Sequence, residues 1–301
     1  MLRLGIVDFD SSHSIEFAQR FNHVGVDFDQ WVDGARVEMG WPGTSEMAPE
    51  RIAGFTQEVA ACGVRIVNSP EEMLGQIDGV LVLSLCGSAH LERVRPFLEA
   101  RIPAYVDKPF ACSYADAVEM VQLAATRNTV LFHSSALAYA DEIGQFRARQ
   151  ADYGTLHGVV SYGPAARAKG NPGLFHYGVH ATSILFALMG PGCRHVATTY
   201  STDAEVATGH WADGRIGAVR GNRRGSTAYG FIAFCENGVI HQPVSSRYAY
   251  RNLCQRTVDA LTAGPSQGSN ELTLEIVRFV LASLESESRR GEPVELELIQ
   301  A

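Results

Sequence analysis

Gly79 to Leu85 reads GVLVLSL, a near-continuous apolar strand of the kind that a parallel sheet buries on both faces. Such a strand needs helices above and below it, and the first half of the chain supplies them by alternation. Leu2 to Val7 is a short apolar strand, and Ile15, Ala18 and Phe21 follow it at helical spacing. Ala35 to Met39 is a weak strand. From Pro49, Ile52, Phe55 and Val59 make a helical stripe, and Val64 to Val67 is a brief strand. Ser69-Pro-Glu-Glu72 has the form of a capping box with proline at the first helical position, which predicts a helix start. A helix from about Ser88 to Ala100, a strand at Pro103 to Val106, a helix opened by Ser113-Tyr-Ala-Asp116 and ending near Arg127, and a sixth strand at Thr129 to His133 complete the series. This succession predicts a doubly wound parallel sheet over residues 1–135.

The second half, 136–301, reads differently. Leu156 to Tyr162 is strand-like, and Asn171-Pro172 is a plausible cap for a helix running to Met189. His195 to Thr202, Gly217 to Arg220, Ala228 to Cys235 and Gly238 to Val244 are then strands separated by turn residues, among them the hairpin-like Glu236-Asn237-Gly238. A last helix runs from Glu271 to Arg290, and Pro293 to Leu298 returns as a short strand. The expected fold is therefore α/β: a Rossmann-type doubly wound sheet followed by an α+β domain with a mostly antiparallel open sheet. That second domain is expected to bind substrate and to oligomerise, as a homodimer or homotetramer, because an open sheet leaves one face to cover.

A net charge of −8 with no basic cluster argues against nucleic acid or an anionic membrane as partner and for a small molecule. The six cysteines are scattered without a CxxC pair, which reads as a reduced, cytoplasmic setting. No positively charged leader precedes the first strand, and no apolar run approaches membrane-spanning length.

The chemistry concentrates at Ile102-Pro-Ala-Tyr-Val-Asp107-Lys108-Pro109, where an apolar strand runs straight into an acid, a lysine and a proline. A lysine at the carboxyl end of a buried parallel strand faces the crevice where open α/β sheets bind ligands. In the second domain His176 and His180 are spaced four residues apart and are expected on one face of a helix. Together with the Gly5-Ile-Val start, Asp78-Gly-Val-Leu-Val followed by His90, the His176-Tyr-Gly-Val-His180 segment and the closing Glu292-Pro-Val-Glu-Leu, this chain resembles the Gfo/Idh/MocA family of nicotinamide-dependent sugar and polyol oxidoreductases. The resemblance implies hydride transfer between NAD or NADP and a hydroxylated substrate. It makes Lys108 and His180 the catalytic pair around the reacting hydroxyl, with His176 beside them. It also implies a cofactor site built from Asp8, Phe9, Asp10, Ser11, Ser12, His13, Ser84, Cys86, His90, Asp107 and Lys108.

Three positions depart from the family's pattern. The loop after the first strand reads Asp8-Phe-Asp10-Ser-Ser-His13, where the family has Gly-x-Gly-x-x-Gly. Glycines there let the backbone turn tightly and approach a pyrophosphate. Two carboxylates add repulsion: a like pair at about 4 Å costs about 1 kcal/mol in water and about 4 at a protein-surface dielectric, unless the acids point away or carry a proton. The second strand ends Val37-Glu-Met-Gly-Trp41 with no acid at its tip for a ribose hydroxyl. His176 stands where the family helix usually has an aspartate, and a His-x-x-x-His pair could hold a metal if a third ligand such as His13, His90, His133 or Asp107 joined it. Two readings follow: an oxidoreductase with an altered dinucleotide site, with no metal assigned, or a divergent relative without dinucleotide chemistry, binding a ligand or a metal through His13, His176 and His180. In the loop Gly163 to Gly173, Arg167, Lys169 and Asn171 are candidates to meet an acidic or hydroxylated ligand.

Overall fold

The computed structural model describes residues 1–264 and 270–300. Its first unit comprises Met1–Ala111, Asp116–Ser134 and Tyr250–Asn270. Strands β1 (Leu2–Val7), β2 (Ala35–Trp41), β3 (Arg65–Ile66), β4 (Gly79–Val82), β5 (Ala104–Val106) and β6 (Leu131–His133) form one sheet in the order β3-β2-β1-β4-β5-β6. Every neighbouring pair in it is parallel. Helices α1 (His13–Asn22), α2 (Ile52–Ala61), α3 (His90–Glu99) and α4 (Tyr114–Arg127) make the crossovers. The run at 79–82 is buried at all four positions, as a strand covered on both faces must be. The strand order reverses between β1 and β4, so the crevice beyond their carboxyl ends is the topological switch point.

Two sequence expectations fail in this unit. The capping box at Ser69 forms, with both reciprocal hydrogen bonds present, but it opens only the single turn Pro70–Met73. Leu74 and Gly75 leave helical geometry at once, Gly75 at φ +76°, so the signal marks a turn and no helix. A helix late in the chain, from Ala249 to Ala263, was not foreseen, and it belongs with this unit although the 135/136 division assigned it to the second. Leu261 of this helix lies against Gly79, as Leu4 does, and Val258 approaches Gly34.

The second unit comprises Cys112–Ala115, Ser135–Ala249 and Glu271–Ala301. After α5 (Asp141–Ala148) and α6 (Gln150–Tyr153) come β7 (Leu156–Pro164), α7 (Gly178–Met189), β8 (Cys193–Ser201), β9 (Ala204–Trp211), β10 (Ile216–Asn222), β11 (Tyr229–Cys235) and β12 (Gly238–Val244). With the helix at 249–263 as α8, the chain closes on α9 (Glu271–Ser288) and β13 (Val294–Glu295). The sheet order is β12-β11-β7-β10-β9-β8-β13, antiparallel except for β7 with β10. Strand β9, AEVATGHW, escaped the sequence reading because its glutamate, glycine and histidine interrupt the apolar signal. Its burial nevertheless alternates almost without fault. Alternation also divides the sheet: Val159, Val219, Phe231 and Val196 are buried, whereas Val160, Ile232, Phe234 and Val239 lie on the less buried side. Among the described residues no helix is long and apolar enough to cross a membrane.

Candidate cofactor and active-site residues

The loop that stands in place of a glycine-rich turn has one residue in the left-handed region. Asp8, at the tip of β1, takes φ +68°, the left-handed turn that glycine ordinarily supplies and that aspartate tolerates better than most residues. Its side chain is turned inward. Ser84 Oγ, at the end of β4, donates to Asp8 Oδ2 at 2.5 Å, and Arg93 Nε on α3 donates to the same oxygen at 3.1 Å. The carboxylate lies against Gly43, where a Cβ would come within 1.6 Å of Oδ1. Burial lifts the Asp8 carboxyl to about 6, against the pull of Ser84 and Arg93 on its charged form. Asp10 also turns into the protein and accepts the Leu85 N–H at 2.9 Å. Phe9 is fully buried with its ring over Gly40, where a Cβ would come within 2.6 Å of it.

These contacts meet the condition under which two acids cease to repel a phosphate, since both point away from the loop's outer surface. Ser11 is buried, its Oγ accepting the His13 N–H at 3.3 Å. Ser12 is exposed at the N-cap of α1, and neither it nor either acid caps the helix by a side-chain bond. The first turn of α1 thus keeps an exposed residue where dinucleotide folds seat a pyrophosphate. The residues present fit a dinucleotide in that the loop's two acids are committed to partners inside the protein.

His13, at the third glycine position, faces inward too. Its Nδ1 lies 2.6 Å from Asp107 Oδ2 and its Nε2 lies 2.6 Å from the Tyr250 hydroxyl on α8. The first is a close approach of ring nitrogen to carboxylate oxygen that falls outside hydrogen-bond geometry. Asp107 also lies 2.9 Å from the Tyr105 hydroxyl. Burial opposes its ionisation, yet His13 and Lys108 outweigh that and hold the carboxyl well below its ordinary range, so Asp107 is an anion at neutral pH. Lys108 follows it at the carboxyl end of β5, 7% exposed. It is one of two lysines in the chain, the other being Lys169, so the other basic residues are arginines. Lysine can give up its proton, which arginine cannot.

His90 is fully buried, with Nδ1 at 3.1 Å from the Phe110 carbonyl and Nε2 at 2.9 Å from the Ser84 carbonyl. Burial depresses its basicity, and the ring ties the β4–α3 connection to the segment after Lys108. His133 bonds the Val106 carbonyl at 2.9 Å and is lowered to about 4 by burial. Cys86, half-buried, precedes the short turn Gly87–Ala89 that leads into α3.

In the second unit the histidine pair is not on one helical face. The turn Gly173–Phe175 ends at His176, and α7 begins only at Gly178, because Asn171 does not cap a helix there. His176 packs edge-on to Tyr177, and His180 sits in the first turn of α7 with Nδ1 2.7 Å from Ser135 Oγ. Tyr229 stands edge-on to the same imidazole, its phenol pushed up by burial. Among the described residues no group of three His, Cys, Asp or Glu is arranged to hold a metal. His13, whose two ring nitrogens are engaged by Asp107 and Tyr250, has no nitrogen to offer one.

Arg167 is likewise committed: it donates to the buried Glu205 at 3.1 Å and to Glu287, and stacks over Tyr200 together with Arg223. Two of the residues that build the site were missed in the sequence, Arg93 and Tyr250. Arg93 lies one helical turn after His90, but nothing local marks it.

Residues 46–135 match the family model described as "Oxidoreductase family, NAD-binding Rossmann fold". No curated protein matches. Among solved structures, the chain is similar to a myo-inositol dehydrogenase from Corynebacterium glutamicum, with TM-score 0.79 and 16% identity over 98% of this chain and 99% of that one. It is similar to scyllo-inositol dehydrogenase from Lactobacillus casei with bound NAD(H) and scyllo-inositol, with TM-score 0.78 and 14% identity over 99% of each chain. It is also similar to GenD2 from gentamicin A biosynthesis in complex with NAD, with TM-score 0.78 and 18% identity over 98% and 97%. At such identities the likeness concerns the fold, an α/β architecture with its mostly antiparallel second sheet.

Proposed function

We propose that this chain, of the Gfo/Idh/MocA oxidoreductase family, is a nicotinamide-dependent dehydrogenase acting on a CH–OH carbon of a sugar, cyclitol or related hydroxylated small molecule. The observation that carries this reading is Lys108, buried at the carboxyl end of β5 beside an ionised Asp107 in a sheet of order β3-β2-β1-β4-β5-β6. A bound dinucleotide supplies the hydride acceptor. The chain's own residues do the rest: Lys108 steadies the negative charge that develops on the substrate oxygen, and His180, oriented through Nδ1 by Ser135, takes the hydroxyl proton. His176, outside the helix, packs on Tyr177, which in turn lies beside His180. The dinucleotide is held by the loop from Asp8 to His13 and by the segment around Ser84 and Cys86.

The metal-assisted alternative through His13, His176 and His180 is not favoured, since Asp107 and Tyr250 already take both ring nitrogens of His13. Six cysteines scattered without a CxxC pair support a reducing, cytoplasmic setting. The half-exposed apolar row Val160, Ile232, Phe234 and Val239 supports a homo-oligomer. The test is nicotinamide absorbance on mixing the protein with each dinucleotide and a panel of sugars and cyclitols. Absence of reduction with every substrate, from protein that binds the dinucleotide, would reject dehydrogenation.

A further inference from the structure

We propose that Arg93 is a phosphate anchor of the dinucleotide site, that it selects the phosphorylated adenosine ribose of NADP(H), and that the Asp8 carboxylate stands in the phosphate's place until the dinucleotide binds. The inference rests on the reading above that the first unit takes a nicotinamide dinucleotide.

Three observations support it. Dinucleotide folds read the adenosine ribose at the end of the second strand, with a carboxylate for the free 2′-hydroxyl of NAD or an arginine for the 2′-phosphate of NADP. Here β2 ends in Trp41, followed by Pro42, Gly43 and Thr44, without an acid. Glu38, the strand's only acid, lies three residues short of the end and pairs with Arg36 at 3.7 Å. In place of a carboxylate a cation is held there. The Arg93 guanidinium sits 5.0 Å from the centre of the Trp41 ring, and its Nη2 donates to Thr44 Oγ1 at 3.0 Å. That arrangement presents a planar, multidonor cation of the kind that suits a phosphate.

The third observation is that an anion already occupies it. Asp8 Oδ2 accepts from Arg93 Nε and from Ser84, while Asp8 Oδ1 is buried without a hydrogen-bond partner. A carboxylate half-satisfied and half-orphaned in this way is a poor permanent tenant. The charged groups facing it are Arg93 and Asp10, and Asp10 is held by the Leu85 N–H; Gly43 closes the remaining side. Glu92 also touches Arg93, at 3.1 Å, but is 82% exposed and turns to solvent at little cost. Burial has already brought the Asp8 carboxyl to about 6, so protonating it at neutral pH works against a ratio of only about ten. In the exchange the phosphate oxygens take the Arg93 N–H donors and the Asp8 carboxylate takes one proton from the buffer, forming its O–H bond as the buffer acid loses one; no other bond is made or broken.

Isothermal titration of the full chain with NADPH and with NADH at pH 7, in two buffers of different ionisation enthalpy, tests this. The expected result is NADPH binding tighter by about tenfold or more, with net proton uptake. Arg93→Gln should abolish the preference for NADPH over NADH, and Asp8→Asn should keep the preference and lose the proton uptake. NADH binding as tightly as NADPH, an Arg93→Gln protein that still prefers NADPH, or NADPH binding without proton uptake overturns the inference and leaves dinucleotide binding standing. Folded protein that binds neither nucleotide overturns both.

Discussion

His13 Nδ1 and Asp107 Oδ2 lie 2.6 Å apart, and this one contact joins the altered first loop to the acid that precedes Lys108. The imidazole stands where a glycine-rich loop would have its last glycine. The ring, backed by Tyr250, supplies part of the charge compensation that a 1% exposed carboxylate needs.

Removing one partner should therefore be costly. His13→Ala is expected to lower the unfolding free energy by about 3–5 kcal/mol, the usual penalty for leaving a buried charge short of its partner, and adding Asp107→Asn should recover part of it. Urea unfolding of both variants measures this. A His13→Ala loss below about 1 kcal/mol would mean that Tyr105 and Lys108 suffice to hold Asp107.

Asp8 gives stability a pH dependence of opposite sign to that of Asp107. Its carboxyl is raised from the ordinary 3.8 to about 6, so between those values the native state binds more protons than the unfolded chain, and stability falls as pH rises through about 4 to 6. The cost above that window is up to about 3 kcal/mol. Asp107, held low, contributes stability that is present above the unfolded value and lost only as pH falls below the Asp8 window. Asp8→Asn should flatten the 4–6 slope in denaturant titrations at stepped pH. An unchanged slope would contradict the burial argument.

In catalysis, Lys108→Met should depress kcat more than it raises KM, because the ammonium acts on charge that appears only in the transition state. His180→Ala should lose about two to four orders of magnitude in turnover. His176→Ala should cost less, since that residue lies ahead of the helix and touches Tyr177. Wild-type turnover in Lys108→Met, read by nicotinamide absorbance, would remove the lysine from the mechanism.

Glu205, 2% exposed between Arg167 and Arg223, anchors the 163–173 segment to β9 and β10. Glu205→Ala leaves two guanidinium groups short of their buried anion and should destabilise the fold by about 3–5 kcal/mol by urea unfolding. A loss under about 1 kcal/mol would show that Glu287 carries Arg167 alone.

Phe234→Glu should shift the protein toward monomer in light scattering, because Phe234 is 42% exposed beside Val239 on the same face. An unaltered mass from an oligomeric wild type would place the interface elsewhere.

The parallel sheet was legible because each strand is a local apolar run, and a fully buried strand such as Gly79–Val82 declares itself within four residues. The second sheet was legible except for β9, whose alternation is carried by alanine, glycine and threonine as much as by large side chains. The acids of the first loop were legible as a departure, but not their destination. Ser84 is 76 positions from Asp8, Arg93 is 85, and Tyr250 is 237 from His13. Those pairings depend on how the strands are ordered, which no local pattern records. The same reason explains Arg167, which resembled a free ligand contact while its partners lay on β9 and α9.

Phe9 and Gly40 form a plug and its socket, and this bears on any attempt to rebuild the loop. Reintroducing the glycine-rich turn at positions 8, 10 and 13 leaves the ring in place, whereas trimming the ring opens a void of the kind that costs about 3–5 kcal/mol. Enlarging residue 40 while the ring remains forces a clash at 2.6 Å. Directed libraries that vary either position alone will mostly return unfolded protein, and productive variants will come from altering both in the same clone.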